Sequence, residues 1–190
     1  MGKVVVTEFL SLDGVMEDPG GAEGFRHGGW SFKFNDPEGM KFKLDETLEA
    51  QALVLGRVTY EGFAKAWPGM TDGVGFADKM NSMPKYVAST TLTSLDWTNS
   101  HLLKGDAVQA VRKLRDELDG VILIAGSRSL AATLKDADLV DEWRLMVHPI
   151  VLGSGKRLFE DAEDAKTLKL ADTKVLESGT LILTYRRADA

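Results

Sequence analysis

The chain has 190 residues, 44% hydrophobic and 27% charged, a balance that suits one globular domain (residues 1–190) with a core built without metals or disulfides. Its formal charge of -6, from 23 basic and 29 acidic residues, argues against general affinity for nucleic acid or anionic membrane, which needs clustered Lys and Arg. The absence of cysteine excludes disulfides, thiol nucleophiles and cysteine-held metals, and no apolar run reaches the roughly 20 residues of a membrane helix.

The first element is "KVVVTEFLSL", residues 3–12, whose β-branched and apolar content suits a strand buried on both faces. The alternation in this stretch and the lack of a small-residue cleavage site argue against a signal peptide, so the cytoplasm is the expected location. Asp13 to Trp30, "DGVMEDPGGAEGFRHGGW", is long and glycine-rich, as a lid or binding loop would be. From Asp36 to Gln51, an Asp cap and Pro37 at the first helical position predict a helix. "ALVLG" reads as a short buried strand and "RVTYEGFAKAW" as the helix that follows at once. After the turn-rich "PGMTDGVG" come a short helix "FADKMNSM", a strand "PKYVAST" and an amphipathic helix "DAVQAVRKLRDEL". "GVILIAG" and "SRSLAATLKDA" repeat the strand-to-helix pattern, and "LVDEWRLMVHPIVLG" reads as a strand stopping near Pro149. The end, "TLKLADTKVLES" and "TLILTYRRA", flanks Ser178-Gly179 as an antiparallel hairpin with a two-residue turn. The expected fold is α/β, a mainly parallel central sheet with an antiparallel C-terminal hairpin.

Two apolar strands end at a glycine that opens a helix: "LVLG-RVTYEGF" and "LIAG-SRSLAATL". Helix N-termini offer unpaired N–H groups and partial positive charge, and glycine lets a phosphate approach the backbone. Arg57 and Arg128 beside them can bond phosphate oxygens in pairs. Sterics alone also place glycine at such turns, and neither junction is G-x-G-x-x-G or G-x-x-x-x-G-K-[ST].

The ordered set "LVLGRVTYEGF", "PKYVASTTL", "ILIAGSRSLAATL", "ADLVDEWRLMVHPIVLGSGKRLF" and the hairpin resembles the dihydrofolate reductase-like superfamily over nearly the whole chain, and most of all the C-terminal reductase domain of bacterial riboflavin-biosynthesis proteins. The resemblance implies a three-layer fold, NADPH as cofactor and a homodimer. It implies phosphate contacts by Gly56, Arg57 and Thr59, 2′-phosphate contacts by Ser89 and Thr90, and a pyrophosphate turn of Ala125, Gly126, Ser127, Arg128 and Leu130. The family's Gly-Gly bond at this turn is typically cis, and Ala125-Gly126 stands as the expected counterpart. "LDG" at residues 12–14 resembles a segment that lines the family's active site, which makes Asp13 the candidate for substrate contact and catalysis; Asp-Gly is also an ordinary turn dipeptide.

Trp30, Phe34 and Trp67 are candidates for a wall against a flat heterocycle, and equally for core packing. The helix acid of folate reductases, preceded by Pro-Trp, has no match: Trp30 lacks the proline, and Asp36 and Glu38 fall at a helix cap. His27, His101 and His148 show no metal-ligand spacing, and no G-x-S-x-G elbow exists, so neither a metal site nor a serine hydrolase is expected. His148 reads as structural, while Lys156 and Arg157 in "VLGSGKRLFED" read as surface charges or contacts to a substrate phosphate. The leading expectation is an NADPH-dependent reductase of a pyrimidine, pterin or related heterocycle; a non-catalytic nucleotide-binding protein and a dihydrofolate reductase are the alternatives.

Overall fold

The computed structural model describes residues 1–159 and 165–188. Eight strands form one sheet in the order β4-β3-β2-β5-β1-β6-β8-β7. They are β1 (Lys3–Ser11), β2 (Ala50–Gly56), β3 (Lys85–Ala88), β4 (Ser100–Leu103), β5 (Val121–Ile124), β6 (Glu142–His148), β7 (Leu168–Val175) and β8 (Leu181–Arg187). All pairings from β4 across to β6 are parallel, and β8 is antiparallel to both β6 and β7. The helices are α1 (Pro37–Glu49), α2 (Arg57–Ala66), α3 (Phe76–Ser82), α4 (Ala107–Glu117) and α5 (Arg128–Asp136).

Alternation along the central strands builds two cores. Val4 and Val6 of β1 join Ile122 and Ile124 of β5 beneath Val111 and Leu114 of α4 and Leu130 and Leu134 of α5. Val5, Leu53, Leu55 and Leu123 face the opposite way, against Tyr60, Met80, Met83 and Trp97. Helix α1 covers the β1 side of this second face, where Phe42 meets Met146, Leu176 and Ile182. Val4, Val5 and Val6 are each fully buried, as a strand covered on both faces requires.

Several boundaries depart from expectation. Helix α1 stops at Glu49 and β2 begins at Ala50 with no intervening loop, so Gln51 is a strand residue. Strand β4 lies in a stretch with no strand signal: four residues at the sheet edge, "SHLL", three half-exposed and His101 exposed, paired only to β3. The hairpin turn is longer than two residues. The Leu176 N–H donates to Thr180 O and the Gly179 N–H to Leu176 O, with Gly179 at φ +82°, a type I turn closed by a left-handed glycine. Asp36 does cap α1, accepting from the Glu38 and Gly39 N–H groups, and its second oxygen accepts from Ser178 N–H of this turn.

The glycine-rich stretch before α1 is pinned rather than free as a lid. Buried Asp18 accepts from the Glu23 and Phe25 N–H groups, and Trp30 Nε1 donates to Glu17 O at 2.8 Å. Arg26 donates to Ser154 Oγ at 3.0 Å, and a short 3-10 helix (Trp30–Phe34) finishes the segment. The late loop "VLGSGKRLFED" is described only to Phe159; its Glu160 and Asp161 lie outside the described residues.

Candidate active site

Strands β2 and β5 are parallel neighbours, so α2 and α5 begin side by side at the same end of the sheet. The Gly56 N–H donates to Gly126 O at 3.1 Å, which joins the two turns. A Cβ on Gly56 would lie 2.1 Å from Ser127 Oγ, and one on Gly126, at φ +79°, would lie 2.7 Å from Thr59 Oγ1. Side chains at these two positions would push the helix starts apart.

Neither helix receives a side-chain cap: α2 starts from Gly56, and α5 from Ser127, whose hydroxyl pairs with Ser129 Oγ at 3.0 Å. The first-turn N–H groups of both helices therefore keep their capacity to bind an anion, reinforced by both dipoles. Exposed Arg57 bonds Glu61 at 2.9 Å, one turn along α2, and Thr59 is half-buried. Ser89 and Thr90 follow β3 beside the start of α2; Ser89 Oγ accepts from the Thr91 and Leu92 N–H groups. Ala125, Ser127 and Arg128 are half-buried around the second turn.

Two expectations at this turn need correction. The cis bond is Gly126–Ser127, one residue later than Ala125–Gly126. Leu130 sends its side chain into the core, where it is 5% exposed, leaving only its backbone available to a ligand.

The proposed substrate wall is also redistributed. Helix α2 runs back across the sheet for about 15 Å at 1.5 Å per residue, so Trp67 at its far end packs on Phe63 and Phe76, away from the glycine turns. A cavity of about 580 Å³ at that end, lined by Asp78, Asn81, Asp96 and Trp97, is equally remote from them. Trp30 is core, 1% exposed, and with Phe9 and Phe34 surrounds the buried ring of His148 at centroid distances of 5.3–5.7 Å. Burial holds the His148 imidazole below its ordinary range despite bonds to Leu10 O and Met146 O. A second cavity, about 280 Å³, opens over this cluster between Arg26, His27, Trp30, Lys33 and Leu152. His27 thus joins two cations, Arg26 and Lys33, that the sequence did not mark.

Asp13 acts as a loop clamp. Its carboxylate accepts from Ser11 Oγ at 2.7 Å and from the Leu152 and Gly153 N–H groups at 3.1 and 2.9 Å. Partial burial opposes ionisation, but these bonds outweigh it and keep the group below the usual carboxylate range, which suits an anchor better than a proton donor. Arg157 donates to Asp13 O and Lys156 pairs with Glu17 at 3.2 Å, so both cations knit the two loops together. His101 lies on the edge strand β4 against Tyr86 and Asn99. Among the described residues no cluster of three His, Asp or Glu side chains can hold a metal ion.

The residue that sequence reading passed over is Glu8. Its partners on the same face of β1 are Val4, Val6 and Leu10, all in the apolar cluster under α5. Burial pushes its carboxyl up to about 8, against the opposing pull of Lys43 and the Gly126 N–H, while Glu46 and Glu23 push the same way as burial. Its Oε1 is buried with no hydrogen-bond partner. On the other face of the strand, Thr7 donates to Glu46 Oε1 at 2.8 Å and Lys43 bonds both, closing a compact polar group against α1.

Comparison with known proteins bears on the family and the fold. The chain is 35% identical over 106 residues to the uncharacterized protein YyaP of Bacillus subtilis (strain 168), covering 56% of each chain. It is 28% identical over 172 residues to the uncharacterized protein YwjB of the same organism, covering 90% of this chain and 91% of that one. In structure it matches a putative riboflavin biosynthesis protein from Shewanella sp. PV-4 with a TM-score of 0.76 at 23% identity, over 97% and 98% of the two chains. It matches a pyrimidine reductase-like protein from Corynebacterium diphtheriae at 0.65 and 14%, over 97% and 91%. Dihydrofolate reductase from Enterococcus faecalis, solved with NADP(H), matches at 0.59 and 17%, over 98% and 97%. The dihydrofolate reductase-like fold is therefore shared. The family model for the RibD C-terminal domain matches residues 2–183, and the chain belongs to that family.

Proposed function

We propose that this chain is an NADPH-dependent reductase of a pyrimidine, pterin or related conjugated heterocycle, of the 5-amino-6-(5-phosphoribosylamino)uracil reductase type. One observation carries the reading: two uncapped helix N-termini, tied together by the Gly56 N–H to Gly126 O bond, at the sheet end where α/β folds bind ligands. The cradle fits a dinucleotide because glycine leaves both backbones open and two anion-binding ends lie side by side. Gly56, Arg57 and Thr59 would hold one phosphate; Ala125, Gly126, Ser127 and Arg128, with the Leu130 backbone, would hold the pyrophosphate. Ser89 and Thr90 beside Arg57 would meet the 2′-phosphate. When bound, NADPH supplies the hydride. The aromatic group of Phe9, Trp30, Phe34 and His148 excludes water from the end of β1, and the Arg26, His27 and Lys33 opening offers an entry for an anionic heterocycle.

Thermal shift with NADPH, NADH and NADP+ tests this directly. Stabilisation by NADPH above NADH, lost on Arg57→Ala, is expected; no shift with any nucleotide would sink the cofactor assignment. A second reading, a nucleotide-binding protein without turnover, is favoured by the use of Asp13 as a loop clamp and by the remote position of Trp67. A nucleotide shift without oxidation of NADPH on any dihydrofolate, pterin or aminopyrimidine substrate would select it. We read the chain further as one cytoplasmic domain that pairs through its β7 edge, where Leu170 and Val175 are exposed.

A further inference from the structure

Strand β1 outlasts β5: their register ends at Val6 beside Ile124, and Glu8 comes two residues later on the same face as Val6. Where Val4 and Val6 meet apolar side chains of β5, the Glu8 carboxyl comes to the glycine turn, where the Gly126 N–H favours its charged form. The side chain is 9% exposed and its Oε1 has no partner. The charges whose fields reach it are Lys43 and Glu46 of α1, packed on the other face of β1, and Glu23 of the glycine-rich loop. A carboxyl in this setting favours its neutral form, whose O–H is a donor without an acceptor. The unused donor lies at the turn proposed for the cofactor, in the half of β1 that runs past β5.

We propose that Glu8 is the proton-exchanging acid of this site, presenting Oε1 to the substrate atom that gains a proton during reduction. The inference rests on the reductase reading above. Reduction of a C=N bond adds a hydride to carbon, with NADPH oxidised to NADP+, and a proton to nitrogen as the π pair moves onto it. Glu8 gives that proton, is left as a carboxylate, and regains a proton from solvent. The timing would follow from charge: with the dihydronicotinamide form bound Glu8 would stay protonated, and the positive charge left by hydride loss would favour its carboxylate when the substrate needs the proton.

Calorimetric titration of the full chain with NADP+ and with NADPH, each in two buffers of different ionisation enthalpy, counts the protons released on binding. At pH 7, NADP+ is expected to release most of one proton more than NADPH, which carries the same 2′-phosphate and so controls for it. Glu8→Gln should keep binding and abolish the difference. Equal release with the two nucleotides in the wild type would overturn the proposal while leaving the reductase reading intact. Failure of both nucleotides to bind would remove that reading and the proposal with it. In the nucleotide-free chain, carbon-13 NMR of labelled glutamate should show one carboxyl titrating near neutrality that is missing from Glu8→Gln. Its absence from the wild type, with every carboxyl titrating in the ordinary range, would likewise overturn the proposal.

Discussion

Glu8→Gln should alter how stability depends on pH more than it alters the fold. Burial holds the Glu8 carboxyl at about 8 in the native chain, against 4.5 for an ordinary glutamate. Between those values the native chain keeps a proton that the unfolded chain has lost, so stability falls as pH rises. One proton gives a slope of about 1.4 kcal/mol per pH unit, so the loss reaches roughly 3 kcal/mol at pH 7 and levels off near 5 kcal/mol above pH 8. Below pH 4.5 both states are protonated and the loss vanishes. Gln keeps the shape and cannot ionise, so any fixed cost of the amide is independent of pH. The experiment is urea unfolding of wild type and variant at several pH values from 4.5 to 9, followed by fluorescence of the four tryptophans. Other titrating groups cancel in the difference, which should climb with pH in favour of the variant. Two parallel curves would mean that Glu8 ionises normally in the folded chain and would refute the reasoning.

Gly56→Ala puts a Cβ 2.1 Å from Ser127 Oγ and should cost about 1–3 kcal/mol in a denaturant melt while weakening NADPH at least about tenfold. Gly62→Ala in α2, where a Cβ meets nothing within 4 Å, should instead stabilise by about 0.5–1 kcal/mol. Glu142, 2% exposed, bonds Lys3, Arg144 and Arg186 at 2.7–2.9 Å; burial opposes its charge, but these cations outweigh it and bring the group down to about 2. The stability it contributes is complete above pH 4.5 and is lost as pH falls towards 2, so Glu142→Gln should flatten acid unfolding in that window. Because Lys3 and Arg186 are partly exposed, the expected loss at pH 7 is about 2 kcal/mol rather than that of a wholly buried pair. Asp13→Ala removes the acceptor for the Leu152 and Gly153 N–H groups and should speed proteolytic cleavage of that loop, with a stability loss of about 1–3 kcal/mol by chemical denaturation.

What the sequence disclosed followed from how strongly each signal was local. The valines of β1, the apolar run of β5 and the glycines that open α2 and α5 each report their own environment, and the sheet and its crossovers follow from them. Strand β4 gave no such report: none of its four residues is fully buried at the sheet edge, and it is set by Asn99, whose C=O accepts from the Lys85 N–H at 2.8 Å. The α1 to β2 boundary was obscured because no Gly or Pro separates Glu49 from Ala50. Trp67 was marked by residue type alone, and the direction of α2 carries it towards the opposite end of the sheet. Trp30 and Leu130 were marked by residue type and position, whereas contact with a ligand depends on which way a side chain points. Glu8 had a legible signal, a lone acid in "VVVTEFL", whose force emerges only once the strand is central and its neighbouring strand stops short.

The treatment of other buried charges gives Glu8 its meaning. Lys85, fully buried, donates to Met80 O, Asn81 O and Met83 O at 2.9 Å and lies 4.3 Å from the Trp97 ring centroid. Glu142 receives three cations. Glu46 leaves Oε2 without a hydrogen bond, yet Lys43 pairs with its other oxygen and Arg144 stands 3.9 Å away. In each case the fold brings donors or countercharge onto the buried group, as low dielectric demands. Glu8 has only the fields of Lys43 and the Gly126 N–H to set against its burial, and its Oε1 is buried without a hydrogen-bond partner beside the turn that joins two uncapped helix ends. An ordinary apolar residue there would extend the Val4, Val6, Leu10 stripe without the loss of stability at neutral and alkaline pH. A carboxyl that weakens the fold at working pH, where β1 runs past β5 beside the proposed cofactor cradle, is accounted for by the proton it can deliver there.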